Sequence, residues 1–115
     1  MSQYSSLPFS KLRIVNGLAF LSGEVPLTSE GTIPEGISAQ TQLVIERIAH
    51  TLGEAGLKLT NVVSTTVYLT DKNDFSEFNE VYRNFFSAPY PARTTVVADL
   101  VLPAKIEIAV VASVD

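Results

Sequence analysis

The sequence predicts an α+β fold: two helices on one face of a mostly antiparallel or mixed sheet. Three observations predict it. The apolar pattern alternates strand-like and helix-like segments in the order β-β-α-β-α-β-β. No composition break, repeat or low-complexity stretch divides the 115 residues, so 1–115 reads as one domain. Hydrophobic residues make up 46% and charged residues 17%. That balance rules out a disordered chain. It also leaves few charges for the surface, which points to apolar area buried against a partner subunit.

The elements follow in order. Lys11 to Val15 and Leu18 to Ser22 are apolar runs separated by Asn16-Gly17, a pair that tolerates the positive φ of a type I′ hairpin turn. Gly23 to Gly36, with Pro26, Gly31 and Pro34, reads as a loop. Ser38 to Ala55 is a helix burying Val44, Ile48, Leu52 and Ala55, and Gly56 stands where a left-handed C-terminal cap belongs. Asn61 to Thr70 is rich in Val, Thr and Tyr, a strand with Val63, Thr65, Val67 and Leu69 on one face. Asp74 and Glu77 are spaced as a capping box for the second helix. Its aromatic stripe, Phe75, Phe78, Tyr82 and Phe85, reads as core packing. Pro89-Tyr90-Pro91 stops that helix. Two strands remain, Arg93 to Ala98 and Lys105 to Val114. In the latter Ile106, Ile108, Val110, Ala112 and Val114 share one face, Glu107, Ala109, Val111 and Ser113 the other. Two helices cover only one sheet face, and a trimer of such sheets would cover the second.

Composition removes several function classes. The net charge is −4 and the cations are spread without a run, so the counterion release that drives nucleic-acid binding has no source. Without cysteine there is neither a disulfide nor a thiolate nucleophile, and one histidine, His50, sets no metal-ligand spacing. His50 itself reads as a solvated helix residue. Met1 to Ser10 lacks the basic and apolar regions of a signal peptide, and no apolar run reaches the ~20 residues of a membrane span. A soluble, cytoplasmic protein is expected. Walker A and dinucleotide motifs are absent.

Two charged residues occupy unusual places. Arg93 opens a strand directly after Pro91-Ala92, and Glu107 interrupts an apolar strand between Ile106 and Ile108. A carboxylate there needs solvent, a partner cation or a polar pocket. Pairing with Arg93 is one reading, a functional site the other.

The segment YPARTTV at 90–96, followed by LPAKIEI at 102–108, resembles the signature of the RidA (YjgF/YER057c/UK114) family. The segment SGEVP at 22–26 is similar to the family's Ser-Gly-Gln-Ile-Pro. Gly53 to Gly56, Asn73 to Phe75, Asn79 and Tyr82 to Phe86 stand in family order, so the resemblance runs from about Pro8 onward. It implies a chorismate-mutase-like fold and a homotrimer with sites in the clefts between subunits. It further implies cofactor-free, metal-free hydrolysis of 2-enamino and 2-imino acids to 2-oxo acids and ammonium. By the same resemblance Arg93 binds the substrate carboxylate and Glu107 helps place water, while Thr95, Ser22, Gly23 and Asn79 lie at the pocket. The family's deaminases often carry a tyrosine where this chain has Phe9, which can pack over a planar ligand but has no hydroxyl to offer. Tyr4 is near but does not align. Three other readings remain open: a trimeric binder or sensor of small 2-oxo or amino-acid-derived carboxylates, a ribonuclease, and a structural trimer in which Arg93 and Glu107 merely pair.

Overall fold

The computed structural model describes residues 6–115; Tyr4 lies outside them. Five strands, β1 (Leu12–Val15), β2 (Leu18–Leu21), β3 (Val62–Leu69), β4 (Ala92–Val97) and β5 (Ile106–Ser113), form one sheet in the order β1-β2-β5-β3-β4. Helices α1 (Ile37–Glu54) and α2 (Phe75–Phe85), with short 3-10 turns at Leu59–Asn61 and Lys72–Asp74, are the helical elements of the described residues. The expected α+β architecture is present, and the sheet is mixed. Only β3 and β4 run parallel, because α2 carries the chain back between them. The hairpin turn forms as its sequence dictates, with φ of 52° at Asn16 and 77° at Gly17.

The last strand to appear in the sequence lies in the middle of the sheet, bonded to β2 on one side and β3 on the other. Its alternation is strict: Ile106, Ile108, Val110 and Ala112 are buried, and Glu107, Ala109, Val111 and Ser113 are half-buried on the opposite face. The buried set meets Val44, Ile45, Ile48 and Leu52 of α1 and Phe78 and Tyr82 of α2 in one core. Side chains on a strand point alternately up and down, so this pattern fixes which face the helices cover.

Three local expectations are corrected. Val63 does not join Thr65, Val67 and Leu69; the β3–β5 register slips between Val62 and Ser64, Val63 turns outward as the extra residue, and Val62 takes the buried place. Ala55 is exposed, since α1 ends at Glu54 and Ala55 is its cap. The Asp74–Glu77 capping box does not form: Asp74 makes no side-chain cap, and Glu77 Oε2 accepts from Ser38 Oγ at 2.6 Å, tying the two helices together.

The 23–36 loop is firmly anchored. Glu24 pairs with Ile108 through both backbone bonds, Glu24 N–H to Ile108 O at 2.8 Å and Ile108 N–H to Glu24 O at 3.1 Å. Its side chain is 3% exposed and accepts from Thr51 Oγ1 at 2.8 Å and Arg47 Nε at 3.3 Å. Arg47 also donates to Leu27 O at 2.6 Å. A buried carboxylate is tolerable only when so engaged. Glu24→Ala removes the shared acceptor and should lower stability by about 1–3 kcal/mol, with Glu24→Gln losing less. Urea unfolding checks this, and an unchanged midpoint in Glu24→Ala would show that the clamp contributes nothing.

Candidate functional site

Arg93 stands at the start of β4, beside Thr65 of β3. Thr65 points to the helices, so Arg93 does too, and its guanidinium lies against the aromatic stripe of α2. Its Cζ is 4.8 Å from the Tyr82 ring centroid, 5.1 Å from Phe78 and 5.7 Å from Phe75. These are cation–π distances, and three ring faces restrain the plane of the fork. The Tyr82 ring is held in turn by a 3.0 Å hydrogen bond between its hydroxyl and Thr65 Oγ1 and by stacking on Phe86 at 4.5 Å. Among the described residues no carboxylate lies within ion-pair distance of Arg93. Asn79, Tyr82, Arg83, Tyr90 and Pro91 line an open pocket of about 290 Å³ with it. The aromatic stripe therefore does two jobs. Phe78 and Tyr82 belong to the core as expected, while the half-exposed Phe75 extends the same surface under a cation.

Glu107 occupies a different place. It sits beside Tyr68, between the buried Ile106 and Ile108, and so faces away from the helices. Burial among its neighbours raises its pKa above the ordinary glutamate value. The carboxylate lies so close over Gly23 that a Cβ there would overlap Glu107 Oε2. Glu24's backbone pairing with Ile108 holds that glycine in place, and Ser22 Oγ donates to Ser10 O at 2.5 Å. Glu107, Ser22, Gly23 and Phe9 share a cleft of about 670 Å³ whose remaining walls are Leu7, Val25, Leu27, Val101 and Leu102.

The seven residues singled out in the sequence thus fall into two groups. Arg93 and Asn79 share one pocket; Phe9, Ser22, Gly23 and Glu107 share the other. Thr95, beside Val67, is half-buried on the Arg93 side of the sheet and lines neither. The pairing of Arg93 with Glu107 does not occur within the chain. Their strands are separated by β3, about 9–10 Å at the usual strand spacing, and their side chains project from opposite faces. His50 is 75% exposed and lies 3.5 Å from Glu54, a solvated residue as read. Among the described residues no three His, Cys, Asp or Glu side chains converge as a metal site, and no helix is long and apolar enough to cross a membrane.

Fold and site define a small α+β protein that presents, on one sheet face, a cation with no carboxylate partner among the described residues and, on the other, a partly buried acid. The chain belongs to the family described as endoribonuclease L-PSP, whose model matches residues 2–114, the RidA/YjgF group. It is 40% identical over 109 residues to a RutC family protein of Aquifex aeolicus, covering 91% of this chain and 87% of that one. It is also 40% identical over 109 residues to a chloroplastic Reactive Intermediate Deaminase A of Arabidopsis thaliana, covering 92% of this chain and 58% of that one. The crystal structure of Escherichia coli TdcF with bound serine superposes with a TM-score of 0.87 at 33% identity, covering 92% of this chain and 87% of that one. Other relatives bear mitochondrial as well as chloroplastic names. Deaminase function is therefore supported at the level of the family.

Two measurements test the acid's environment. Gly23→Ala should cost about 1–3 kcal/mol through the overlap with the carboxylate, and the cost should shrink in a Glu107→Ala background, which a double-mutant cycle reads directly. Because the pKa of Glu107 is raised, its protonated form is the better accommodated one. The associated stability is present at low pH and is lost as pH rises through the raised value. Glu107→Gln should accordingly gain stability relative to the parent as pH rises, and parallel stability profiles would contradict the burial argument.

Proposed function

We propose that the protein hydrolyses reactive 2-enamino and 2-imino acids to 2-oxo acids and ammonium, in sites that form between subunits of a homotrimer. The observation that carries this reading is Arg93, a half-buried guanidinium oriented by three rings and paired with no carboxylate among the described residues. A planar fork in that state is complementary to a carboxylate ligand, which it grips by two parallel hydrogen bonds.

The reaction asks little more of the protein. A proton added at the enamine carbon gives the iminium, whose C2 is already electrophilic. Water adds to C2, a proton passes from the new hydroxyl to nitrogen, the C–N bond breaks, and ammonia leaves behind the 2-oxo acid. Holding C2 beside water, with one group that can exchange protons, supplies the needed catalysis. Glu107 fits that second part, since its raised pKa brings proton exchange closer to neutrality. Asn79 flanks the carboxylate, Thr95 stands two residues along β4 on the same face as Arg93, and Ser22, Gly23 and Phe9 wall the acid's side. No metal or organic cofactor is required by this chemistry, and the −4 net charge with its scattered cations argues against a nucleic-acid substrate.

Opposite faces of one sheet cannot enclose one small ligand, so the reading needs Arg93 from one subunit and Glu107 from the next. The face without helices supports such an assembly. It carries Phe20 and Val111 as cross-strand partners, together with Tyr68 and Val96. A head-to-tail contact repeated three times closes a ring and makes three equivalent sites.

Arg93→Ala should lose ~2–5 kcal/mol of ligand binding, tens- to thousands-fold, and Arg93→Lys should fail substantially as well, because an ammonium cannot reproduce the fork. Glu107→Gln should keep affinity for an unreactive 2-oxo acid while losing turnover. Co-refolding the inactive Arg93→Ala and Glu107→Gln chains one to one should restore roughly a quarter of parental activity, since in a head-to-tail ring a quarter of the interfaces join two intact halves. Calorimetry with the unreactive 2-oxo acid reports affinity in the single variants, and imine decay in a coupled amino-acid oxidase assay reports turnover in all of them and in the mixture. No recovery in the mixture would exclude the shared site, and full activity in both single variants would remove the mechanism.

A further inference from the structure

We propose that Thr65 and Tyr82 are positioning residues for Arg93, a role that rests on the reading of Arg93 as the carboxylate anchor. The hydrogen bond between their hydroxyls fixes the ring on which the guanidinium lies, and so sets the affinity of the site for a carboxylate. Thr65 stands abreast of Val110 on β5 and Arg93 on β4, on the face that the helices cover. It is 1% exposed and Tyr82 5%, and their hydroxyls meet at 3.0 Å. Val67, Phe78 and Val110 belong to the hydrocarbon cluster into which Tyr82 is packed. All of these contacts lie inside one chain, so they do not depend on how subunits meet.

Folding has little need of this pair. Two buried hydroxyls that satisfy each other mainly offset their own desolvation, and an apolar pair of the same shape, Phe against Val, would fill the space with little or no loss. What a satisfied polar pair adds to a core is a unique arrangement. The group that uses it lies alongside. Tyr82 is the ring nearest the guanidinium, with Arg93 Cζ 4.8 Å from its centroid, against 5.1 Å for Phe78 and 5.7 Å for Phe75. It also links the rings together: Phe78 lies at 5.4 Å and 55° to it, and Phe86 stacks on it at 4.5 Å. Ring contacts set a separation but tolerate sliding, whereas a hydrogen bond is directional and pins the tip of the ring. Of the three rings beneath Arg93, only Tyr82 has a hydroxyl with which to make such a bond. A long side chain held in place beforehand loses less freedom when it takes a ligand. For one such side chain the gain is about two- to tenfold in affinity.

Urea unfolding and calorimetry with an unreactive 2-oxo acid, run on the same variants, test this. Tyr82→Phe/Thr65→Val removes both hydroxyls and leaves neither orphaned. It should unfold near the parental midpoint yet bind about two- to tenfold more weakly, with the imine KM rising by a similar factor and kcat falling less. Thr65→Ser keeps the hydroxyl and gives up a methyl, so it should show the reverse, lower stability with the affinity retained. Tyr82→Phe and Thr65→Val taken singly should each weaken binding about as much as the pair, because either one breaks the same bond. Parental affinity and KM in the double variant overturn the positioning role. So does an equal loss of affinity in Thr65→Ser and Thr65→Val, a comparison that stands even if the double variant does not fold. Arg93→Ala separates this role from the reading beneath it. Parental 2-oxo acid affinity there overturns the anchor and the positioning role with it, whereas lost binding beside an indifferent Thr65–Tyr82 pair overturns the positioning role alone.

Discussion

Alternation along β5 is the constraint on which everything else in this molecule depends. The strand is bonded on both edges, so its register cannot slip by one residue without moving Ile106, Ile108, Val110 and Ala112 out of the core together. That same constraint commits Glu107 to the face without helices. The acid's position is therefore enforced by hydrophobic burial of its neighbours, which outweighs the cost of partly desolvating the carboxylate. Gly23 completes the arrangement because only a residue without a Cβ leaves room for the carboxylate. Glu24, bonded to β5 through its backbone and to α1 through its side chain, keeps that glycine where it is needed.

Arg93 is held by a different kind of interaction. A guanidinium fixed by a counter-carboxylate would have its fork occupied and its charge neutralised. Ring faces restrain the same group while leaving its N–H donors free for another acceptor. Cation–π support is weaker than a buried ion pair, and here that weakness is useful. The hydrogen bond between Tyr82 and the buried Thr65 orders one of those rings in turn.

Much of the fold could be read in the sequence, because its main signals are local. Asn16-Gly17 can hardly avoid its turn, and period-two burial in β5 or helical spacing in α1 needs only neighbouring residues to be recognised. What escaped the reading was set by partners far along the chain. Glu24 sits in a segment that looks like a solvent loop, yet Arg47 and Thr51 rise from α1 to bury it. Val63 has no glycine or proline to announce a bulge, and it faces outward because the β3–β5 register slips there. Glu77 had the spacing of a cap but found Ser38 on the other helix. Arg93 and Glu107 stand out by position alone, whereas their roles and the other candidate site residues follow only from family resemblance, and the sequence holds no sign that the two would lie on opposite faces. That fact is a product of strand order, which periodicity does not encode. Helical spacing marks the aromatic stripe as core, but its second use depends on which strand runs past it.

The central place of β5 has a bearing on how the chain reaches this shape. During synthesis β1, β2, α1, β3, α2 and β4 all emerge before it. Until it arrives, the β1–β2 hairpin and the parallel β3–β4 pair are two separate pieces, each with an open edge and an apolar face looking for cover. Inserting one strand between them joins both and closes the core under the helices. Contacts spanning much of the chain are made in that step, and such late, long-range closure is characteristically slow. A nascent chain stalled before residue 106 would hold nearly all of the helical and hairpin sequence without a sheet to organise it. Exposed edges of that kind invite pairing with other chains, so this small protein is most vulnerable to aggregation in the interval before its final strand is available.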